Sequence, residues 1–154
     1  MQQNRIDSLL KVPLSVHIVI MQDGKVLLQK RHNTGFADGM YALPSGCVEA
    51  NESIYAAAKR EAKEELGITF IGKDIEFVTT VYKNEQKEIQ SWNSVCYFLS
   101  LKNYQGEIIN MEPDKCSELS FYSLDSLPEN FLEVSKKGLL SVLSKEPFLD
   151  FAFV

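Results

Sequence analysis

Three glutamates, Glu61, Glu64 and Glu65, crowd the segment Gly46–Ile68, which reads GCVEANESIYAAAKREAKEELGI. On a helix turning 100° per residue, all three fall within roughly 100° of one another. Glu61 and Glu65 are an i,i+4 pair, and Glu61 and Glu64 an i,i+3 pair. Ile54 and Ala57 lie on the same stripe as Glu61. The carboxylates therefore share a side with small and apolar residues that face protein. The competing explanation is a solvated acidic face held by surface ion pairs. Arg60 and Glu64 are spaced i,i+4, but in the less favourable orientation. Lys59 and Lys63 lie far round the helix from Glu61 and Glu65. Repulsion between Glu61 and Glu65 reaches roughly 3 kcal/mol at an effective dielectric near ~20, for charges ~5–6 Å apart. No neighbouring cation in sequence relieves it, whereas a divalent cation would. Clustered hard oxygen donors suit Mg2+ or Mn2+.

Two further residues bear on this chemistry. Gly46 precedes the helix and lets the backbone come close to a ligand. Glu52 lies near the helix start, where the dipole favours a carboxylate; a plain N-terminal charge accounts for it equally. The helix that carries the stripe runs from about Ser53 to Leu66, with Asn51 and Ser53 as candidate caps and Gly67 as the stop. Ahead of it, Val12–Met21 reads as a strand, Gln22-Asp23-Gly24-Lys25 as a turn and Val26–Arg31 as the returning strand. Asn33–Gly39 is a loop, and Met40–Leu43 a short strand stopped by Pro44-Ser45-Gly46. Ile75–Lys83 and Trp92–Leu101 are the strongest later strands, joined by polar Asn84–Ser91. Trp92, Cys96 and Phe98 on one face, and Val95, Tyr97, Leu99 and Leu101 on the other, predict a strand covered on both sides. Leu119–Leu124 is a further strand. Asn130 is the candidate cap of a second helix to about Ser144, with Leu132, Leu139, Val142 and Leu143 on one face. Strands interleaved with two helices predict an α/β (α+β) domain with a mixed sheet packed between helices. The whole of residues 1–154 reads as one domain, with no repeat or linker.

In its spacing the segment resembles the Nudix hydrolase box, G-x5-E-x7-R-E-U-x-E-E-x-G-U, where U is a bulky apolar residue. Gly46, Glu52, Arg60, Glu61, Glu64, Glu65 and Gly67 stand at the fixed positions. At ~7% usage per residue type, a chance match is roughly one in 10⁸ per window. Ala62 is small for the first U position, and Ser45 stands where many relatives carry a second glycine. The late stretch Phe121–Pro128, FYSLDSLP, is a much weaker match.

The resemblance implies a sandwich of a mixed sheet between helices. It also implies an enzyme that cleaves a phosphoanhydride bond of a nucleoside diphosphate derivative with Mg2+ or Mn2+. Glu61, Glu64 and Glu65 would hold the metal, with the Gly46 carbonyl as an added ligand. Arg60 would orient the glutamates, and Glu52 would support the site. The general base would be a box glutamate or one of Glu85, Glu88 and Glu112, with a box glutamate favoured. Substrate choice lies outside the box. Lys30, Arg31 and His32 either meet phosphates or form a polar strand end. Phe36, Tyr82 and Trp92 either stack on a base or pack in the core. Of these, Arg31 and Phe36 are the substrate-contact candidates.

Composition narrows the field. The chain has 154 residues, 45% hydrophobic and 24% charged, which excludes disorder and fibrous repeats. A net charge of −5 and a pI near 5.1 argue against a nucleic-acid partner. No stretch of 18 apolar residues is present, so no membrane span is expected. Cys47, Cys96 and Cys116 form no CxxC pair. They read as thiols of a reducing cytoplasm, and no signal peptide is apparent. A nucleoside triphosphate cleaved to monophosphate and pyrophosphate is the leading expectation. ADP-ribose or a nucleotide sugar is the alternative substrate. A second alternative is a nucleotide-binding module that has lost catalysis, but here every box carboxylate is kept. The apolar tail Phe148–Val154 must dock on its own core or on another subunit, giving a monomer or a homodimer, with the former favoured.

Overall fold

The computed structural model describes residue 5, residues 8–85 and residues 92–153. The elements, in order, are β1 (Leu14–Gln22), β2 (Lys25–Arg31), β3 (Tyr41–Ala42), β4 (Ser45–Cys47), α1 (Ile54–Leu66), β5 (Ile75–Glu85), β6 (Trp92–Leu101), β7 (Cys116–Ser123), α2 (Glu133–Ser144) and β8 (Phe148–Phe153). Eight strands form one mixed sheet in the order β3-β2-β1-β6-β5-β8, with β4 paired to β1 and β7 to β2. The β1–β6 and β5–β8 ladders are parallel. The tight β1–β2 turn places Asp23 and Gly24 at φ 49° and 73°, the left-handed pair that a two-residue hairpin requires.

One helix covers each face of the sheet. Ala57, Ala58, Ala62 and Leu66 of α1 pack on Val16, Ile18, Ile20, Leu99 and Leu101. On the other face Val134 and Leu139 of α2 pack with Val19, Leu28, Val81 and Phe98. β1 and β6 are thus buried on both sides, as the apolar runs predict. The small residues of α1 let the helix axis come close to β1, which brings its carboxylate stripe down to the sheet edge.

The structure corrects several sequence expectations. The strand ahead of Pro44 does stop, at Ala42, but Ser45–Cys47 then forms a separate strand that the sequence did not predict, β4, which pairs antiparallel with β1 through Ser15↔Cys47 and His17↔Ser45. Asn130 does not cap α2. Its side chain donates to Gly39 O at 2.6 Å, and its carbonyl accepts from Tyr41 N, which ties it to the β3 loop. The helix begins instead at Glu133 behind Leu132. Leu143 is 44% exposed rather than on the packed face; Ser135 and Gly138 take its place against the sheet. The tail forms the edge strand β8 along β5, so it docks on its own chain. Among the described residues, no helix is long and apolar enough to cross a membrane.

Candidate active site

α1 carries the three glutamates, with Glu61 and Glu65 turned to the strands and Glu64 facing outward. Ser53 caps α1 by accepting from Ala56 N at 3.1 Å, and Gly67 closes it in the left-handed conformation. The Glu61 side chain turns onto β4. A Cβ built on Gly46 would stand 1.9 Å from Glu61 Oε1, so only glycine allows this approach. Glu65 lies deeper. Its Oε2 accepts from Ser45 N at 2.9 Å, and its Oε1 accepts from Gln29 Nε2 at 3.2 Å. Glu64 is about half exposed at the rim.

Arg60 is the hub of this arrangement. It donates through Nε and Nη2 to the two oxygens of Glu52 at 2.9 and 3.0 Å. Nη2 also donates to Cys47 O at 2.9 Å. Nη1 reaches Glu61 Oε1 at 2.5 Å and Glu64 Oε2 at 3.4 Å. Arg60 therefore does relieve part of the glutamate repulsion, contrary to the sequence reading. The guanidinium is drawn into place by Glu52 and the Cys47 carbonyl, which lie outside the helix, so helix spacing alone does not reveal it. Glu52 sits before the cap, outside the first turn of α1, so its role is to hold Arg60 in a two-point grip.

Electrostatics mark the same point. Burial, reinforced by the Glu61 charge, pushes the Glu65 carboxyl up to about 8, against the opposing hydrogen bonds from Gln29 and Ser45. Burial also raises Glu61, although its bond to Arg60 pulls the other way. Of these two carboxylates only Glu61 meets a guanidinium, and Glu65 is held by neutral donors alone, so the pair is short of positive charge.

These residues line a cleft of about 280 Å³ with Gln29, Arg31, Thr34, Ser45, Glu112 and Lys115 at its walls. Of the candidate bases outside the box, Glu112 reaches the cleft. Glu88 lies outside the described residues, as does the side chain of Glu85. Of the triplet Lys30, Arg31 and His32, only Arg31 lines the cleft, because alternation along β2 sends Gln29 and Arg31 to one face. Lys30 lies instead 5.5 Å from the Tyr41 ring centroid. Arg31 is already committed to its own loop: Nε donates to Phe36 O at 2.9 Å, and Nη2 to Thr34 Oγ1 at 3.0 Å. Phe36 is 53% exposed, with Arg31 5.6 Å from its ring centroid. Tyr82 does not line the cleft, and the Trp92 side chain is outside the described residues.

Gln29, Ser45, Glu112 and Lys115 are the site residues that sequence reasoning missed or left unplaced. Gln29 carried little signal: it opens the polar end Gln29-Lys30-Arg31 of its strand, and the structure alone shows it to be only 6% exposed. Lys115 carried none.

Among the described residues, no three His, Cys, Asp or Glu side chains converge closely enough to enclose an ion. Glu61 and Glu64 give oxygens to Arg60, and Glu65 gives both of its oxygens to Gln29 and Ser45. The donor chemistry nonetheless fits a hard divalent cation. It is all oxygen and anionic, and burial holds the Glu65 carboxyl above its ordinary value with no cation bonded to it.

Comparison with known proteins agrees with the geometry. The NUDIX domain family matches residues 11–142. An ADP-ribose pyrophosphatase of Methanocaldococcus jannaschii is 32% identical over 116 residues, which is 75% of this chain and 64% of that protein. An NAD-capped RNA hydrolase of Pseudomonas aeruginosa is 27% identical over 117 residues, 74% of this chain and 37% of its own length. The chain thus spans less than two thirds of these curated relatives. The crystal structure of a MutT NUDIX hydrolase from Burkholderia pseudomallei superposes with a TM-score of 0.76 at 26% identity, covering 86% of this chain and 99% of that one.

Proposed function

The chain belongs to the Nudix hydrolase family, and from that premise we propose that it hydrolyses a phosphoanhydride bond of a nucleoside diphosphate derivative. The observation that carries this is the cleft itself. Glu61, Glu64, Glu65 and Glu112 meet there with Arg31 and Lys115 on its walls. Glu61, Glu64 and Glu65, with the Gly46 carbonyl, would hold Mg2+ or Mn2+. A bound divalent cation supplies charge that offsets phosphate oxygens and makes water a better nucleophile. The chain's own residues do the rest. Glu52 fixes Arg60, and Arg60 orients Glu61 and Glu64. Ser45 N and Gln29 fix Glu65. A box glutamate takes the proton of the attacking water, with Glu112, which lines the cleft, as the alternative.

The leading substrate is a nucleoside triphosphate, cleaved between the first and second phosphates to a monophosphate and pyrophosphate. A small polar cleft whose carboxylates would hold a divalent cation, with Arg31 and Lys115 beside them, favours a compact, highly charged ligand. ADP-ribose is the second reading, favoured by the 32% identity to an ADP-ribose pyrophosphatase. All three cysteines are free thiols, which suits a reducing cytoplasm.

The test is product analysis by chromatography over a panel of nucleotides, with and without Mg2+ and after EDTA. Monophosphate and pyrophosphate should appear only with metal. Orthophosphate and a nucleoside diphosphate would make the bond assignment wrong, and full turnover in EDTA would remove the metal reading. A tenfold higher kcat/KM for ADP-ribose would select the second substrate.

A further inference from the structure

The walls of the cleft carry one cation whose ammonium group is not tied to its own loop backbone. Lys115 Nζ stands 2.8 Å from Glu112 Oε1, and this lysine side chain is 62% exposed. The turn that presents both residues is firmly stitched. Lys115 N and Cys116 N both donate to Glu112 O at 2.9 Å. Asn110 Nδ2 donates to Cys116 O at 2.7 Å, and Asn110 Oδ1 accepts from Glu112 N at 3.2 Å. Met111 N donates to Glu65 O at 3.1 Å, which anchors the turn to the last turn of α1. His32 N donates to Lys115 O at 2.8 Å, which anchors it to the end of β2. The backbone is therefore fixed relative to Glu65, while the lysine side chain is exposed and held by one ion pair among the described residues, to Glu112.

The charges around that stem are one-sided. Glu112 holds the Lys115 ammonium in its charged form, and Glu61 and Glu65 add to the pull. Arg31, the other lining cation, uses Nε and Nη2 to shape the loop around Thr34 and Phe36. An anionic substrate entering the cleft thus finds Lys115 as its most available donor.

We propose that Lys115 is an exchangeable counter-ion, neutralising Glu112 in the metal-free protein and transferring to a substrate phosphate once a divalent cation engages the carboxylates. This rests on the metal-dependent phosphoanhydride reading above. It makes two expectations of opposite sign. A cation that competes with the metal weakens metal binding, so its removal tightens it. A cation that holds phosphate strengthens substrate binding, so its removal weakens it. A residue that only supports the turn would weaken both together.

Titration calorimetry separates these cases, with Mn2+ alone and then ADP in saturating Mn2+ as probes. For Lys115→Met, the Mn2+ Kd should fall about threefold, the scale of one exposed ion pair. The ADP Kd should rise about tenfold, the scale of one charge-assisted hydrogen bond. Lys115→Arg should restore the Mn2+ Kd and recover part of the ADP affinity. Unchanged or weaker Mn2+ binding by Lys115→Met overturns the exchange, as does unchanged ADP binding. Should the unaltered protein bind no Mn2+, the metal-dependent reading itself fails and takes this inference with it; if it binds Mn2+ but not ADP, only the exchange is lost.

Discussion

Glu65 concentrates the chemistry of single residues in this molecule. It is the box carboxylate whose pKa is raised furthest, to about 8, and its environment favours the neutral form until a cation arrives. Glu65→Gln keeps the shape and removes the charge. Its kcat should fall by roughly 10²-fold or more, the scale for losing a positioned catalytic group. The metal-free fold should survive, with a thermal midpoint near neutral pH close to that of the parent. The glutamine replaces a carboxyl that is already partly protonated there. Steady-state kinetics and thermal unfolding on the same preparation check both halves. Near-parental kcat, or failure to fold, would count against the assignment. The types and spacing of Gly46, Glu52, Arg60, Glu61, Glu64 and Glu65 were legible without coordinates, because one helix carries most of them. The partners of those residues were not. Ser45 N, Gln29 and the Cys47 carbonyl come from other strands, and no local rule relates them to α1.

At the scale of elements, the helices are set by how closely they approach the sheet. Gly138 of α2 stands against Phe98 of β6, and a Cβ there would meet the ring at 2.0 Å. Phe98 is fully buried and has no room to withdraw. Gly138→Ala should destabilise the fold by about 1–3 kcal/mol in chemical denaturation, the usual cost of overpacking. The cleft lies on the α1 side of the sheet, so KM should be unaffected. β1 carries a second testable feature. His17 stacks on Phe98 with centroids 4.5 Å apart, and its Nδ1 is buried without a partner. Burial, helped by the Arg31 charge, lowers its pKa from 6.5 to about 4. The unfolded chain therefore binds the proton more readily than the folded one. The neutral-His contribution is fully present above pH 6.5 and is lost as pH falls towards 4. About 3 kcal/mol is at stake over that window. Denaturation at pH 7 and pH 4.5 should show a steeper loss for the parent than for His17→Leu. Equal slopes would place the acid sensitivity elsewhere.

For the molecule as a whole, the C-terminal strand is the informative part. β8 lengthens the sheet by pairing Phe148 through Phe153 with Thr80 through Glu85 of β5. Pro147 O also accepts from Thr80 N at 3.1 Å. A chain ending at Glu146 loses this ladder and bares the edge of β5. It should be less stable by about 1–3 kcal/mol in denaturant. Its particle mass in dilute solution by light scattering should correspond to the same number of subunits as the full chain. A dimer that becomes a monomer on truncation would show that the tail serves assembly as well as the fold.

The sequence by itself determined the elements and the reactive types. Its β-branched runs, its Asp23-Gly24 turn, the Ser53 cap and the Gly67 stop act over a few residues, and each local rule led to the observed element. The carboxylate stripe was equally local, because helix periodicity brings i, i+3 and i+4 together regardless of what surrounds them. Only tertiary structure decided which charges meet. Ser45–Cys47 became a strand because β1 offered an edge, and Asn130 left its cap because the β3 loop offered better hydrogen bonds. Glu112 and Lys115, some fifty residues beyond the stripe, reached the cleft because Met111 pairs with the end of α1. Charge works across space rather than along the chain, so the counter-ions of the site emerge only when distant strands and loops are packed together.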